Sequence, residues 1–262
     1  MKNLLSLIAA SAVLLTMNAQ ASIDFTYLGP AHADGSGQIT ITYPTDYTGD
    51  TRSESGIWVG QLSMTNPATG QAFSSFCLSP AGNLSPGTSS YTPLTFAQAK
   101  YGSEPATWST TGGIENAAYL WEMNNGSITT NAQGAALNLA LWTALYNSTA
   151  VGTAPTTGSF SVSGISAEIA AAYAADMAQL NAADPSAIED AYSDNSGYIL
   201  RPTNSSMQDL IVLPSALPAD FLANANAPEP STVFGMGFLG VMAFGGFVGE
   251  KLKLSRLLKD AA

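Results

Sequence analysis

The chain has very few of the residues on which most catalytic and metal-binding sites depend. Its 262 residues include one cysteine, Cys77, and one histidine, His32. A Cys/His zinc site and an internal disulfide are therefore excluded. Neither a Gly-x-Ser-x-Gly elbow nor a phosphate-binding glycine loop occurs in the sequence. We expect no catalytic residue, no cofactor and no metal ion, and we predict that the protein is not an enzyme.

Basic residues are also scarce, and most of them lie at the two ends of the chain. There are 8 Lys and Arg against 19 Asp and Glu, which gives a formal net charge of -11. Between the ends only Arg52, Lys100 and Arg201 remain. An acidic domain of this kind repels polyanions, so nucleic acid is excluded as a partner.

The first 21 residues have the three parts of a secretory signal peptide. Lys2 supplies the positive n-region, residues 4–17 form the apolar h-region, and Ala19-Gln20-Ala21 is a small-x-small cleavage site. We predict that signal peptidase removes residues 1–21 and that the mature chain begins at Ser22. An uncleaved anchor helix is the alternative, but the apolar run is short for a bilayer span.

The first half of the mature chain has the alternating pattern of β-strands. Strands are predicted over 37–43, 56–64 and 71–78. The turn-forming residues Asn66–Gly70 lie between the last two of these strands and predict a hairpin. Cys77 would then lie near the end of a strand.

The middle of the chain changes to a helical pattern, and the end returns to short strands. Helices are predicted over 114–124, 132–146 and 167–181. Short strands are predicted over 197–201 and 209–213. The order indicates an α+β fold, in which an antiparallel sheet or barrel-like core carries an inserted group of about three helices. We predict one ectodomain over 22–213 and a linker over 214–227.

The C-terminal segment has the composition of a membrane-inserted tail. Pro228-Glu229-Pro230 precedes an uncharged apolar run over 233–248, and four basic residues follow it within 251–259. The run is slightly shorter than the about 20 residues of a typical span. Basic residues after such a run stay on the cytoplasmic side, which leaves the folded domain outside. We therefore predict a C-terminal helix of membrane length.

This tail resembles the PEP-CTERM sorting signal of Gram-negative bacteria over residues 228–262. The resemblance implies that an exosortase in the inner membrane recognises the tail and removes it. It also implies delivery of the domain to the cell surface or to an exopolysaccharide matrix. The basic residues are more widely spread than in the family, and Glu250 and Asp260 lie among them. Whether the tail is cleaved or kept as an ordinary membrane anchor is left open.

Two short motifs within the domain resemble the thioester domains of bacterial surface adhesins. Phe76-Cys77 matches the aromatic-Cys pair of a strand, and residues 138–142 match a helix that carries Gln-x-Ala-(Ile/Val/Leu)-Trp. In that family the cysteine thiol condenses with the glutamine amide, and the thioester acylates an amine on a partner. Here Asn138 replaces the glutamine. Because its side chain is one methylene shorter, the same backbone would hold its carbonyl group too far from the sulfur of Cys77.

These features give three hypotheses for function. The first is an exported surface or matrix protein with an adhesive or structural role, whose ligand is an exopolysaccharide or another surface molecule. The second is a covalent adhesin with a Cys77–Asn138 thioester. The third is a secreted hydrolase, which requires the fold to bring Cys77 to His32, because no local motif joins them.

An acidic stretch over 184–197 raises the question of a calcium site. Asp184, Glu189, Asp190 and Asp194 supply oxygen atoms of the kind that calcium prefers. Their spacing does not match the twelve-residue calcium loop, whose ligands follow a fixed pattern. A solvated acidic loop is therefore expected here.

Overall fold

A computed structural model of the chain defines the fold. It describes residues 22–34, 38–44, 51–80, 84, 86–101, 112–147, 160–194, 196–204, 207–219 and 221–222. The predicted signal peptide (1–21) and the predicted sorting tail (228–262) lie outside these residues. Among the described residues, no helix is both long enough and apolar enough to span a bilayer.

Within the ranges given above, nine strands form two antiparallel sheets. In chain order they are β1 (Ile23–Asp34), β2 (Thr40–Pro44), β3 (Thr51–Ser55), β4 (Val59–Thr65), β5 (Ala72–Cys77), β6 (Gly87–Leu94), β7 (Ser161–Ser163), β8 (Tyr198–Pro202) and β9 (Leu210–Val212). Six of them close into a barrel in the order β1-β4-β5-β9-β8-β6, and the other three form a sheet in the order β3-β2-β7. The predicted antiparallel barrel-like core is confirmed.

In the described part of the chain, five α-helices lie between β6 and β8. They are α1 (Phe96–Tyr101), α2 (Gly113–Asn124), α3 (Asn131–Tyr146), α4 (Ala167–Asn181) and α5 (Pro185–Ser193). Helices α2, α3 and α4 confirm the three helices predicted from the apolar periodicity, and the α+β class is confirmed with them. The expected number of about three was too low, because α1 and α5 are short, with 6 and 9 residues.

The acidic stretch that begins at Asp184 was wrongly expected to be a loop. Its first part is helix α5, in which Pro185 occupies the first turn and the Asp184 carboxylate accepts a hydrogen bond from the Ser186 backbone N–H (2.8 Å). Proline is favoured at this position because the N–H that it lacks has no partner within the helix. No group of three or more His, Cys, Asp or Glu able to hold a metal ion occurs in the described part of the chain.

Strand β1 was missed because its sequence does not alternate simply. Its pairing with β4 shifts register between Tyr27 and Gly29 and again between Pro30 and Ala33. Each irregularity inserts residues that break the period of two. His32 therefore lies within strand β1 and is half-buried.

Helix α3 is the central element of the helical layer. Apolar residues surround almost its whole circumference, which is typical of a helix buried on all sides. It packs against α2, α4, β1 and β4. Thr130 and Gln133 begin it with a reciprocal capping box, which satisfies backbone groups of the first turn.

Phenylalanines on the two faces of strand β5 contact different parts of the protein. Phe73 on one face meets Phe25 edge-to-face with ring centroids 5.1 Å apart, and Phe25 also contacts Tyr91. Phe76 on the other face meets Trp121 of α2 at 5.9 Å. Strand β5 thus joins the interior of the barrel to the helical layer.

The compact unit extends slightly beyond the predicted domain boundary. It spans Gln20–Pro218. A short 3-10 helix at Pro214–Ala216 lies within it, and the side chains of Ala216 and Leu217 are buried. Residues 214–217 thus continue from β9 within this unit.

Candidate functional site

The fold brings Cys77 and Asn138 into contact, although they are 61 residues apart in the chain. Cys77 is the last residue of β5, and Asn138 lies in the middle of α3 with 1% of its surface exposed. The Asn138 amide Nδ2 donates a hydrogen bond to the carbonyl oxygen of Cys77 (2.8 Å). Its Oδ1 accepts one from the backbone N–H of Gly60 on β4 (3.0 Å). The amide therefore bridges two strands of the barrel.

The same face of α3 supplies two further donors to the end of β5. Trp142 Nε1 donates to the carbonyl oxygen of Cys77 (2.8 Å), and the Tyr146 hydroxyl donates to that of Leu78 (3.3 Å). Residues 138, 142 and 146 are spaced by four, which places them on one side of a helix. Phe160 packs against both the Trp142 and Tyr146 rings. The helix is thus held to the strand end by three aligned polar side chains.

Two glycines allow strand β1 to approach this contact closely. A Cβ atom at Gly134, one turn before Asn138, would lie 2.0 Å from the His32 carbonyl oxygen. A Cβ atom at Gly60 would lie 2.4 Å from the same oxygen, and the φ of Gly60 is +142°. Any larger side chain at either position would have to displace the backbone of β1.

Burial keeps the Cys77 thiol protonated. The residue is 7% exposed, and burial raises the pKa of its thiol well above the usual range. Burial also raises the pKa of Tyr91 to about 12, with smaller contributions from Cys77 and Asp209. A reactive cysteine needs a stabilised thiolate, which an apolar site without a basic neighbour does not provide. The thiol therefore has the environment of a small buried apolar group.

The amide of Asn138 faces the backbone of β5 and β4 through both of its polar atoms. Thioester formation would join the Cys77 sulfur to the amide carbon and release the nitrogen as ammonia. That nitrogen is the atom that binds the Cys77 carbonyl oxygen. The reaction would remove this hydrogen bond, although Trp142 would still donate to the same oxygen. The contact predicted from sequence exists, and its hydrogen bonds are those of a structural bridge.

Of the other residues singled out in the sequence, His32 lies beside this site through its backbone carbonyl group. His32 and Cys77 are both described, and no hydrogen bond connects the imidazole to the thiol. The sorting motif Pro228-Glu229-Pro230 lies outside the described residues.

The sequence reasoning missed Gly60, Gly134 and Tyr146. A glycine inside an otherwise apolar helix, as at Gly134, is the one signal that indicates close backbone approach. Tyr146 continues the spacing of four set by Asn138 and Trp142. Nothing near Gly60 in the sequence indicates its contact with Asn138, because the two residues are 78 positions apart.

The fold is a six-stranded antiparallel barrel packed against a buried central helix, α3. At the site, the last residue of β5 is hydrogen-bonded to that helix. Comparisons with protein-family models, with curated proteins and with solved structures find no match to this chain.

Proposed function

We propose that the protein is an exported cell-surface or extracellular-matrix protein, which acts by non-covalent binding or as a structural component and not as an enzyme. The signal peptide predicted over 1–21 and the sorting tail predicted over 228–262 support a location outside the inner membrane. The main support for non-covalent action is that both polar atoms of the Asn138 amide are hydrogen-bonded to the backbone, at Cys77 and at Gly60. In this proposal signal peptidase and an exosortase process a precursor whose tail is inserted in the inner membrane.

The buried site has the properties of a structural contact. Each polar atom of the Asn138 amide has a backbone partner, and leaving such a partner unpaired in a buried site costs about 1–3 kcal/mol. The raised pKa of the Cys77 thiol disfavours the thiolate that either hydrolysis or thioester formation requires. Cys77 therefore supports the fold, and binding takes place on the protein surface.

Covalent capture through a Cys77–Asn138 thioester is the second candidate. It is favoured by one observation, which is that the fold places the two residues in contact. It requires the Asn138 amide to give up its position against the backbone. Because the surrounding core is closely packed, the side chain has little room to turn toward the sulfur.

Intact mass of the full-length protein distinguishes the two candidates. The protein is measured under denaturing conditions before and after incubation with methylamine, and Cys77→Ala is the control. We expect the full mass of the processed chain and no change with methylamine. The covalent adhesin would be established by three results together. The wild-type mass would be short by one ammonia, methylamine would add to the protein, and Cys77→Ala would show neither the deficit nor the addition.

Export is tested separately in a Gram-negative host that contains an exosortase. The termini of the protein are mapped by mass spectrometry in the wild type and in a variant that carries Glu229→Ala. We expect the wild-type protein outside the inner membrane with Ser22 as its first residue. Retention of residues 1–21 on an intracellular protein would contradict the proposal.

A further inference from the structure

The three-stranded sheet β3-β2-β7 carries hydroxyl groups in two rows on one face. The sequences Thr-Ile-Thr, Ser-Glu-Ser and Ser-Val-Ser alternate, so every second side chain lies on the same face. The register aligns the hydroxyl residues across the strands. One row is Ser55, Thr40 and Ser163, and the other row is Ser53, Thr42 and Ser161.

Hydrogen bonds between strands and the burial of the opposite face of the sheet fix the positions of these hydroxyl groups. Thr40 bonds Ser55 (2.9 Å) and Thr42 bonds Ser53 (2.7 Å) through their hydroxyl oxygens, on the exposed side. On the opposite face Ile41 is 0% exposed and Tyr43 is 2% exposed. Neighbouring members of one row lie on adjacent strands about 4.8 Å apart, and the two rows are about 6.7 Å apart along the strands.

The chemistry of this face indicates a neutral partner rich in hydroxyl groups. Hydroxyls both donate and accept, so they match the alternating donors and acceptors of a sugar ring. Ser and Thr side chains also lose little conformational freedom when they are bound. None of the six residues carries a charge, whereas the whole chain has a net charge of -11. Charge complementarity therefore disfavours an anionic polymer and permits a neutral one.

A large exposed aromatic side chain follows three residues after Ser55, which is the β3 member of one row. The segment that follows Ser55 is held to β2, because the N–H groups of Gly56 and Ile57 both donate to the Ile39 carbonyl oxygen (2.9 and 3.3 Å). Trp58 comes next and is 62% exposed. An indole ring exposed in this way offers an apolar surface for stacking and a polar N–H.

We propose that the hydroxyl rows and Trp58 form a binding surface for a neutral polysaccharide. The hydroxyl rows bond the polymer, and Trp58 packs against the apolar face of a sugar ring. This inference deepens the proposed non-covalent function and rests on it.

Affinity electrophoresis of the full-length protein tests the surface directly. The gels contain hydroxyethylcellulose or dextran, and the detergent is zwitterionic because a sugar headgroup would compete. We expect retardation by at least one of the two polymers. We expect the apparent Kd of Trp58→Ala to be about tenfold higher than that of the wild type, as loss of one aromatic contact implies. We expect the double variant Thr42→Val with Ser53→Ala to have an apparent Kd at least threefold higher.

The matched control is the double variant Thr26→Val with Thr88→Val. These threonines form an exposed cross-strand hydroxyl pair on the barrel (2.7 Å), away from the proposed rows. We expect it to bind like the wild type. If Trp58→Ala and Thr42→Val/Ser53→Ala are retarded as strongly as the wild type, the proposed binding surface is wrong, while the proposed non-covalent function still stands. No retardation by either polymer would also overturn the surface, whereas failure of the proposed function would appear separately, in the mass and export measurements.

Discussion

The protein has two ordered arrays of polar side chains, and they differ mainly in burial. The array on α3 places Asn138, Trp142 and Tyr146 against backbone carbonyls at the end of β5, with no access to water. The array on β2 and β3 places pairs such as Thr42 and Ser53 against each other on an exposed face. Both arrays follow directly from the period of their element, which is four residues on the helix and two on the strand.

The difference in burial gives the two arrays different energetic roles. A buried donor or acceptor that loses its partner cannot bond water instead, so the α3 array fixes the helix on the barrel. Exposed hydroxyls exchange partners with water at little cost, so the sheet face is free to bond a ligand. We therefore expect substitutions in the buried array to act on stability, and substitutions in the exposed array to act on binding.

The largest effect is expected from Gly134→Ala. The new Cβ would lie 2.0 Å from the His32 carbonyl oxygen, so β1 and α3 would have to separate. We expect the free energy of unfolding to fall by about 3 kcal/mol or more. Gly126→Ala is the control, since no atom lies within 4 Å of its Cβ position. Equal denaturant midpoints for the two variants would contradict the close approach.

Asn138→Ala is expected to have the next largest effect. The substitution removes the partner of the Gly60 N–H and one of the two donors to the Cys77 carbonyl oxygen. We expect a loss of about 2–3 kcal/mol in the free energy of unfolding. Asn116→Ala, a half-buried asparagine on α2, is the control and should change stability by less than about 0.5 kcal/mol. A neutral Asn138→Ala would mean that the amide is not a structural bridge.

A third prediction concerns the buried side-chain carboxyl of Asp209. This residue lies next to the site, because its backbone carbonyl oxygen accepts a hydrogen bond from the Leu78 N–H. Burial raises its pKa to about 6, and Arg201, 3.7 Å away, lowers it only partly. The folded state therefore binds this proton more tightly than the unfolded state. Its contribution to stability is present below the unfolded pKa and is lost as pH rises from about 4 to about 6.

Asp209→Asn should reduce this pH dependence. We expect urea unfolding of the wild type to show a fall on the order of 1–2 kcal/mol in that window from Asp209, and a flatter profile for the variant. Burial also raises the pKa of Asp176 to about 6, so the double variant with Asp176→Asn should be flatter still. An identical slope in wild type and Asp209→Asn would refute the assignment.

The smallest effect on stability is expected on the exposed face. Thr42→Val removes the hydroxyl that bonds Ser53 and keeps the branched shape of the side chain. We expect the free energy of unfolding to change by less than about 0.5 kcal/mol, because water replaces the lost partner. A loss comparable to that of Asn138→Ala would remove the contrast between the two arrays.

The sequence predicts the regular parts of this fold well. Helices α2 and α4 are long and apolar on the side that packs, and α3 is a long, almost uniformly apolar run that begins with a capping box, so local sequence determines all three. The hairpin between β4 and β5 was predicted from its turn, where Gly70 has a φ of +71° and its N–H donates to the Asn66 carbonyl oxygen (2.8 Å). These features depend on neighbours within a few residues.

The parts that were missed depend on distant residues. Strand β1 has two register shifts that only its partner β4 explains. The sequence places Asn138 near Cys77 and leaves open whether a thioester forms, but it does not indicate that the amide bonds the Cys77 and Gly60 backbones. Residue types show that an amide is present at this contact, but the atoms it meets are determined by tertiary packing.

The most direct test of the structural role of Cys77 and Asn138 is a thiol titration of the full-length protein. A maleimide reagent is added under native conditions, in denaturant, and in denaturant after methylamine. We expect slow labelling of the native protein and one rapidly labelled thiol in denaturant, with or without methylamine. A thiol that appears in denaturant only after methylamine treatment would show that Cys77 is held in a thioester and would contradict the account.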